Sequence, residues 1–287
     1  MKKTFVSLLL WLALIPAAFG ECLCDPAMLL QEGEAPVWTE NSYQSANVYI
    51  SITSERYLNS DIYVADIYVR SVNSFQRGMA SNKWKGKTQT IKKIAQANES
   101  IIAMTGDNSA NLSVGWVIAN GKICRKTANR KRELCVLFSN GEMAIIQPGD
   151  IVAKELAAGV EAGEIWQSFL FGPGLLTEDG KAKTTFSSDV KPKNPRSVIG
   201  YYEPGHYCFV QVDGRGAASK LEKGKKSVGL TLAELAAYME KLGCASAYNL
   251  DGGQSSMMYF KNGVISSPYK NGRRLGDVVL IREPESN

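Results

Sequence analysis

The residues most capable of chemistry in this chain lie in one short segment near its C-terminus. That segment reads Ala247-Tyr-Asn-Leu-Asp-Gly-Gly-Gln-Ser-Ser256. If residues 248–251 form a strand, period-two alternation places Asn249 and Asp251 on one face, and the two glycines that follow let a ligand approach the backbone closely. The alternative is a plain hairpin in which Asp-Gly only turns the chain. The candidate ligand-binding residues of this segment are Asn249, Gly252, Gly253 and Ser255.

Further motifs accompany this segment in a fixed order. They are Gly106-Asp107, Gly115-Trp-Val-Ile-Ala-Asn120-Gly121, Phe171-Gly-Pro-Gly-Leu175, Asn194-Pro-Arg196-Ser-Val-Ile-Gly200, Val212-Asp213-Gly214-Arg215, Ser227-Val-Gly229-Leu-Thr231 and Arg273-Arg-Leu-Gly-Asp277. With the Asn249 to Ser256 segment, they make the chain from about residue 100 onward resemble the phosphodiester glycosidase family, whose members remove sugars from sugar-1-phosphodiesters. The chain departs from the family pattern around Asp107, where Thr105 comes before the Gly-Asp pair and Asn108-Ser109 follows it. We therefore expect different sugar contacts there.

The resemblance implies hydrolysis of the anomeric C–O bond of a glycan 1-phosphodiester. In this reaction the sugar gains oxocarbenium character while a phosphate monoester departs. A guanidinium suits the departing phosphate, and a carboxylate must activate water or stabilise the sugar cation. The candidate catalytic carboxylates are Asp251, Asp107 and Asp213, and the candidate phosphate ligands are Arg196 and Arg273.

Each of these residues also has a structural explanation. Asp213 could be a turn residue within Val-Asp-Gly-Arg, and either arginine could form a structural salt bridge. The alternative function is therefore a non-catalytic carbohydrate-binding protein of the cell wall or exopolysaccharide on the same scaffold. His206 is the only histidine. Chemistry that needs several imidazoles is thereby excluded, and no nucleophile-elbow pattern surrounds Ser255.

The first 20 residues have the features of an export signal. Lys2 and Lys3 precede an apolar run at residues 5–15, and the segment ends in Ala-Phe-Gly. The run has about half of the roughly 20 residues that span a bilayer. We expect cleavage after residue 20 and an exported protein without a stable membrane span, whose substrate is a phosphoglycan, cell-wall polymer or exopolysaccharide.

The net charge argues against a nucleic-acid partner. The predicted signal holds two of the 33 basic residues, so 31 remain against 28 acidic residues, a net charge of +3. Nucleic-acid-binding domains are usually much more basic than this.

All six cysteines follow the predicted signal, and an even number in an exported chain indicates disulfides. One pair flanks the basic run 125–132 in what reads as a single hairpin, and the other joins a strand to a helix end. The predicted pairs are Cys124 with Cys135 and Cys208 with Cys244. The partners of Cys22 and Cys24 stay open.

The sequence requires no cofactor. The Cys-x-Cys spacing and the single histidine fit no common zinc ligand set. Carboxylates and carbonyls could bind calcium or magnesium, although no twelve-residue calcium loop is present. Metal use is left open.

The strands, helices and turns that the sequence predicts would position these residues. Together they indicate an α+β fold, a single mixed-sheet domain with hairpins and a few helices. Residues 48–53 and 62–69 are rich in β-branched and aromatic side chains, which predicts strands. Residues 87–98 predict a helix, and residues 100–104 predict a buried strand. Asn-Gly pairs at 120–121, 140–141 and 262–263 predict hairpin turns.

The clearest predicted helix covers residues 231–243. Thr231 and Glu234 form a capping box, and Gly243 ends the helix. No linker divides the remaining chain. The predicted organisation is a signal at residues 1–20, an N-terminal strand and helix segment at 21–99, and a phosphodiester glycosidase-like catalytic region at 100–287, the last two within one domain.

Overall fold

The structure is a computed structural model that describes residues 22–129 and 131–285, without the side chain of Ser109. The predicted export signal lies outside the described residues.

The α-helices are α1 Ile91–Ala97, α2 Ala153–Glu161 and α3 Leu232–Lys241. The strands are β1 Val37–Trp38, β2 Ser42–Gln44, β3 Val48–Tyr57, β4 Ser60–Val69, β5 Phe75–Met79, β6 Ile102–Thr105, β7 Gly115–Ala119, β8 Lys122–Thr127, β9 Leu134–Phe138, β10 Met143–Ile146, β11 Ile165–Phe169, β12 Arg196–Glu203, β13 His206–Val212, β14 Ala217–Ala218, β15 Lys226–Ser227, β16 Ser246–Asn249, β17 Met258–Phe260, β18 Gly263–Val264 and β19 Asp277–Ile281. Six short 3₁₀ turns lie between these elements in the described chain. They are Pro26–Met28, Val72–Ser74, Ala80–Asn82, Ser109–Asn111, Gly253–Ser255 and Tyr269–Asn271.

Two antiparallel sheets enclose the main core. The larger sheet has the strand order β1-β2-β3-β4-β13-β12-β16, and the second has the order β18-β17-β6-β19-β5. Ile50 and Phe209 of the first sheet are buried in the same core as Met104 and Val279 of the second. The N-terminal strands β1 to β4 therefore belong to the same sheet as strands of the family-like region. The predicted α+β class is confirmed.

Helix α3 covers the other face of the larger sheet. Leu235 and Met239 pack with Val198 and Val210 of that sheet. The predicted capping box is present, because the Glu234 backbone N–H donates to the Thr231 hydroxyl (3.1 Å) and the Thr231 N–H donates to the Glu234 carboxylate (2.8 Å). The predicted helix is therefore confirmed.

Helix α1 covers the second sheet. Ile91 and Ile94 pack with Val278 and Leu280 of β19. The helix starts later than the sequence predicts because the Thr90 hydroxyl accepts the Lys93 N–H and caps it there. No helix in the described ranges is long and apolar enough to cross a membrane.

Strands β14 and β15 pair with each other, and strands β7 to β11 form a smaller subassembly with α2. Its sheet has the order β10-β9-β11, and β7 pairs with β8. The predicted Asn-Gly turn between β7 and β8 is confirmed, since Asn120 (φ 52°) and Gly121 (φ 71°) both have the positive φ of a type I′ turn. The predicted hairpins β9–β10 and β17–β18 also form. In the last of these, the positive φ falls on Lys261 and not on the predicted Asn-Gly pair.

The predicted hairpin between Cys124 and Cys135 is wrong. The turn after β7 folds Cys124 in β8 back onto β7, whereas Cys135 in β9 pairs with β10 and β11. The two cysteines therefore lie in different sheets, and no bond joins them in the structure. Both of their side chains are free thiols.

The cysteines of the second predicted pair lie close together. The Cys208 and Cys244 sulfur atoms are 3.8 Å apart and buried. A side-chain carbon at Gly200 would lie 2.5 Å and 2.8 Å from these two sulfurs, so glycine there makes room for them. Both are thiols in the structure, and their disulfide stays a prediction. The Cys22 and Cys24 sulfurs also lie 3.8 Å apart.

Candidate active site

A small cleft of about 90 Å³ opens where the second sheet meets the loop that follows β16. Gly106 and Asn108, which follow β6, form part of its wall. Asp251 and Arg273 are the two predicted site residues whose side chains line it. Arg274 and Asp277 complete the charged part of the lining.

Asp251 and Arg273 form an ion pair in this cleft. Arg273 Nη2 lies 2.7 Å from Asp251 Oδ2, and Arg273 Nε donates to the Ser255 hydroxyl. Burial raises the pKa of Asp251, while the Ser255 hydroxyl and Arg273 oppose this rise. Arg273 Nη1 makes no hydrogen bond to the part of the chain that the structure describes. The pair thus offers a carboxylate and a free guanidinium edge to a ligand.

The loop that carries Asp251 is anchored to the end of β6. The Asp251 N–H donates to the Gly106 carbonyl (3.2 Å), and the Thr105 hydroxyl accepts the Met257 N–H (3.0 Å) and donates to the Ser255 carbonyl. Two segments more than 140 residues apart in sequence are joined in this way. Their contact places Asp251 at the mouth of the cleft.

Asn249 and Asp251 do not share a strand face as predicted. Strand β16 ends at Asn249, and Asp251 lies in the loop beyond it. The Asn249 side chain is fully buried and donates to the Gly172 carbonyl (2.8 Å). Its amide oxygen has no hydrogen-bonding partner among the residues described. The regular strand ends before Asp251, so strand alternation does not extend to it.

Close packing explains two of the glycines in this region. A side-chain carbon at Gly252 would lie 2.7 Å from the Pro195 carbonyl oxygen. Gly253 has a φ of 64°, in the region that only glycine enters easily. Both glycines therefore fit the backbone path of the loop, and the cleft is lined by Asp251 rather than by them.

Asp107 lies beneath the cleft and is fully buried. Its Oδ1 accepts the Leu170 N–H (2.8 Å) and the Phe171 N–H (2.6 Å), and its Oδ2 lies 3.4 Å from Arg77 Nη2. Burial raises the pKa of Asp107 to about 6, although Arg77 opposes the rise. Its contacts position the Phe171 loop, and its side chain is not exposed to the cleft.

Arg77 is the charged residue that sequence analysis missed. Its Nε and Nη2 lie 2.8 Å and 2.6 Å from Asp277 Oδ2, and its Nη1 donates to the Ser168 carbonyl (2.9 Å). Asp277 in turn accepts the Asp107 and Asn108 backbone N–H groups. Alternation along β5 puts Arg77 on the same face as buried Phe75, and that was the signal available in the sequence.

The structure places Asp213 away from the cleft. It is 1% exposed, and its Oδ2 accepts the Ser267 N–H (2.8 Å). Its Oδ1 has no hydrogen-bonding partner among the described residues. Burial raises the pKa of Asp213 to about 8. These contacts fit a structural carboxyl group.

Arg196 is also placed away from the cleft lining. It is 2% exposed, and its guanidinium donates to the Leu230 carbonyl (2.9 Å) and the Pro192 carbonyl (2.5 Å). Burial lowers the pKa of Arg196 to about 10. Its contacts tie the segment before β12 to the segment before α3. The structure therefore brings together only one of the two predicted phosphate-binding arginines with Asp251.

No group of three or more histidine, cysteine or carboxylate residues suited to a metal occurs in residues 22–129 and 131–285. A role for calcium or magnesium stays open.

Comparisons with known proteins agree with this fold. The structure is similar to the catalytic domain of zebrafish N-acetylglucosamine-1-phosphodiester alpha-N-acetylglucosaminidase, with a TM-score of 0.61, 15% identity, and coverage of 83% of this chain and 82% of that one. It is also similar to a hypothetical protein from Synechocystis, with a TM-score of 0.58, 14% identity, and coverage of 83% and 63%. At these identities the likeness shows a shared fold.

The sequence comparisons extend this result to the family. The SPbeta prophage-derived uncharacterized protein YomE of Bacillus subtilis (strain 168) is 28% identical over 209 residues, which are 69% of this chain and 30% of that protein. The chain thus matches less than a third of that relative's length. A sequence model of the phosphodiester glycosidase family matches residues 92–282, more than half of the chain. The chain belongs to the phosphodiester glycosidase family.

Proposed function

We propose that this protein is an exported hydrolase that cleaves the anomeric C–O bond of a glycan 1-phosphodiester and releases a sugar and a phosphomonoester. The observation that carries the proposal is the Asp251–Arg273 ion pair, 2.7 Å long, in the cleft beside Gly106. A carboxylate and a partly exposed guanidinium side by side match the two charges of the transition state, a sugar cation and a departing phosphate.

The chemistry divides between these two side chains. A water oxygen bonds to the anomeric carbon, and the bond between that carbon and the bridging phosphate oxygen breaks with its electron pair moving onto that oxygen. The Asp251 carboxylate accepts the proton of the attacking water or stabilises the sugar cation. Arg273 stabilises the negative charge of the departing phosphate through its Nη1 edge.

The carboxylates beneath the site have a supporting role in this proposal. Asp107 fixes the Leu170 and Phe171 backbone, and Asp277 fixes the loop of Gly106 and Asn108. Arg77 holds both carboxylates together. Arg77 and Asp107 keep the cleft wall in place from beneath it, whereas Asp277 also lines the cleft.

We also propose that the substrate is a phosphoglycan outside the cell, such as a cell-wall polymer or exopolysaccharide. The support is the predicted export signal at residues 1–20 and the modest net charge of the chain, which gives no reason to expect nucleic acid.

A release assay tests the proposed function. The protein without residues 1–20 is incubated with a sugar-1-(aryl phosphate) diester and with the matching aryl glycoside, and an added phosphatase converts the aryl phosphate that C–O cleavage frees into the coloured phenol. We expect release from the phosphodiester and at least a hundredfold slower release from the glycoside, because only the former supplies a phosphate leaving group to Arg273. No release from a panel of such phosphodiesters, together with calorimetric binding of the same sugars, would favour the non-catalytic carbohydrate-binding function.

A further inference from the structure

Arg215, from the Val-Asp-Gly-Arg motif, lies against the loop that carries Asp251. A side-chain carbon at Gly253 would be 3.1 Å from each of Arg215 Cζ, Nη1 and Nη2. Equal distances to three atoms mean that the flat guanidinium covers the position where a side chain would project. Any larger residue at position 253 would crowd the Arg215 guanidinium.

Two further contacts hold the guanidinium in this place. Arg215 Nε donates to Asn194 Oδ1 (2.8 Å), and Arg215 Cζ lies 5.6 Å from the centre of the Tyr269 ring. Such an arrangement fixes an arginine through one nitrogen and one ring face. Neither contact uses a hydrogen of the two terminal nitrogens.

The terminal nitrogens of Arg215 have no protein partner in the described part of the chain. Neither Nη1 nor Nη2 makes a hydrogen bond there, and no carboxylate of those residues lies within ion-pair distance. Arg215 also has a φ of 55°, a conformation that a non-glycine side chain adopts at a cost. An exposed arginine kept at such a position, stacked and uncompensated, has the features of an anion ligand.

Arg196 adds a second positive charge close to Arg215, and Glu234 offsets part of it. Arg196 lies close enough that the charge of Arg215 lowers the pKa of Arg196, after the larger effect of burial. The carboxylate of Asp251 is already paired with Arg273. An anion with more than one acceptor oxygen would offset this excess.

Arg215 is also near the reacting groups. Gly253 is two residues after Asp251, so their Cα atoms are at most about 7 Å apart. Arg215 does not line the cleft itself, but it lies against the loop that carries Asp251 into it. We infer that Arg215, stacked on Tyr269 beside Gly253, is a second phosphate-binding residue of this site, and that it takes the place in the clamp that the sequence assigned to Arg196. This inference rests on the proposed function.

Three variants test the inference. Arg215→Gln removes the charge, Arg215→Lys keeps the charge without the planar fork, and Lys223→Gln removes one charge from an exposed residue of the same chain segment as the matched control. Michaelis constants are measured with the sugar-1-(aryl phosphate) diester and phosphatase of the release assay, and binding of methyl phosphate is measured by calorimetry. We expect Arg215→Gln to raise KM and weaken methyl phosphate binding by about tenfold or more. Arg215→Lys should lose most of the same affinity, because an ammonium cannot bind two oxygens at once.

The outcomes separate this inference from the proposed function. If the wild-type protein hydrolyses the phosphodiester and Arg215→Gln stays within twofold of Lys223→Gln in both measurements, the function stands and the inference is overturned. If the wild-type protein hydrolyses none of the phosphodiesters, the proposed function fails. Calorimetry alone then tests the inference on Arg215. Arg215-dependent binding of methyl phosphate then supports the inference, and binding that is absent or unchanged in Arg215→Gln overturns it. Equal melting temperatures of the variants exclude unfolding as the cause.

Discussion

Arg273 and Asp251 form an ion pair whose two members differ in exposure, with the arginine side chain 46% exposed and the aspartate side chain 10% exposed. The carboxylate is therefore fixed in the wall of the cleft, while much of the guanidinium faces a ligand. Ser255 accepts a second hydrogen bond from Arg273 and stops the guanidinium from rotating away. A group arranged in this way can bind substrate and orient the carboxylate at the same time.

We expect the ion pairs beneath the cleft to contribute strongly to the free energy of unfolding of the protein. Arg77→Met leaves the carboxylates of Asp107 and Asp277 buried without their cation, and we expect a loss of about 3–5 kcal/mol in the free energy of unfolding. Urea unfolding measures this loss, with Lys92→Met on the exposed side of α1 as the control. A loss below about 1 kcal/mol would mean that the buried network does not hold the cleft wall.

Arg196→Lys should act mainly on folding. The guanidinium donates to two backbone carbonyls, and a lysine ammonium cannot reach both in the same geometry, so we expect about 1–3 kcal/mol of lost stability. The value of kcat/KM should stay within a few-fold of wild type when measured well below the melting temperature. Unchanged stability with a large loss of turnover would return Arg196 to the phosphate-binding role.

Asp213 should make the protein less stable as the pH rises. Its pKa is about 8 in the folded chain, chiefly because of burial, against about 3.9 when unfolded. The Ser267 N–H and Lys220 lower this pKa, and Asp61 raises it. Because the folded state holds the proton more tightly, the stabilisation is complete below about pH 4 and is lost as the pH rises to about 8.

The variant Asp213→Asn checks this dependence. Asparagine keeps an acceptor for the Ser267 N–H and does not ionise. The free energy of unfolding should therefore fall less between pH 5 and pH 8 in the variant than in the wild-type protein. Parallel pH profiles of the two proteins would show that Asp213 is ionised in the folded state.

If the protein is exported as proposed, we expect the Cys208–Cys244 disulfide to form. The two sulfurs are already in contact, and the bond would join β13 to the end of α3. Such a bridge typically contributes about 2–4 kcal/mol, so reduction should lower the melting temperature and leave turnover at low temperature unchanged. Peptide mapping of non-reduced protein gives the direct answer, and finding both residues as free thiols would refute the pairing.

Local sequence patterns predict the elements of this fold well. The capping box of α3 and the β-branched and aromatic content of β3 and β4 are local features of the sequence, and all three elements form. The pairing of β8 and β9 depends on partners elsewhere in the chain. The hairpin proposed around Cys124 and Cys135 failed for that reason.

The site was predictable only in part, because motif residues can face either a ligand or the protein. Asp251 and Arg273 line the cleft, but Arg196 binds carbonyls and Asp107 binds backbone N–H groups. Arg77 is 200 residues from its partner Asp277, so no local pattern links them. Side-chain direction and long-range pairing are set by tertiary packing.

The most direct test of the account is the turnover of Asp251→Asn on a sugar-1-phosphodiester. Asparagine keeps the size of the side chain and suits an Asp-Gly-type turn, but it cannot accept a proton or carry charge. We expect turnover to fall by about 10² or more while the circular dichroism spectrum and methyl phosphate binding are retained. A folded Asp251→Asn protein with wild-type turnover would contradict the assignment of Asp251 as the catalytic carboxylate.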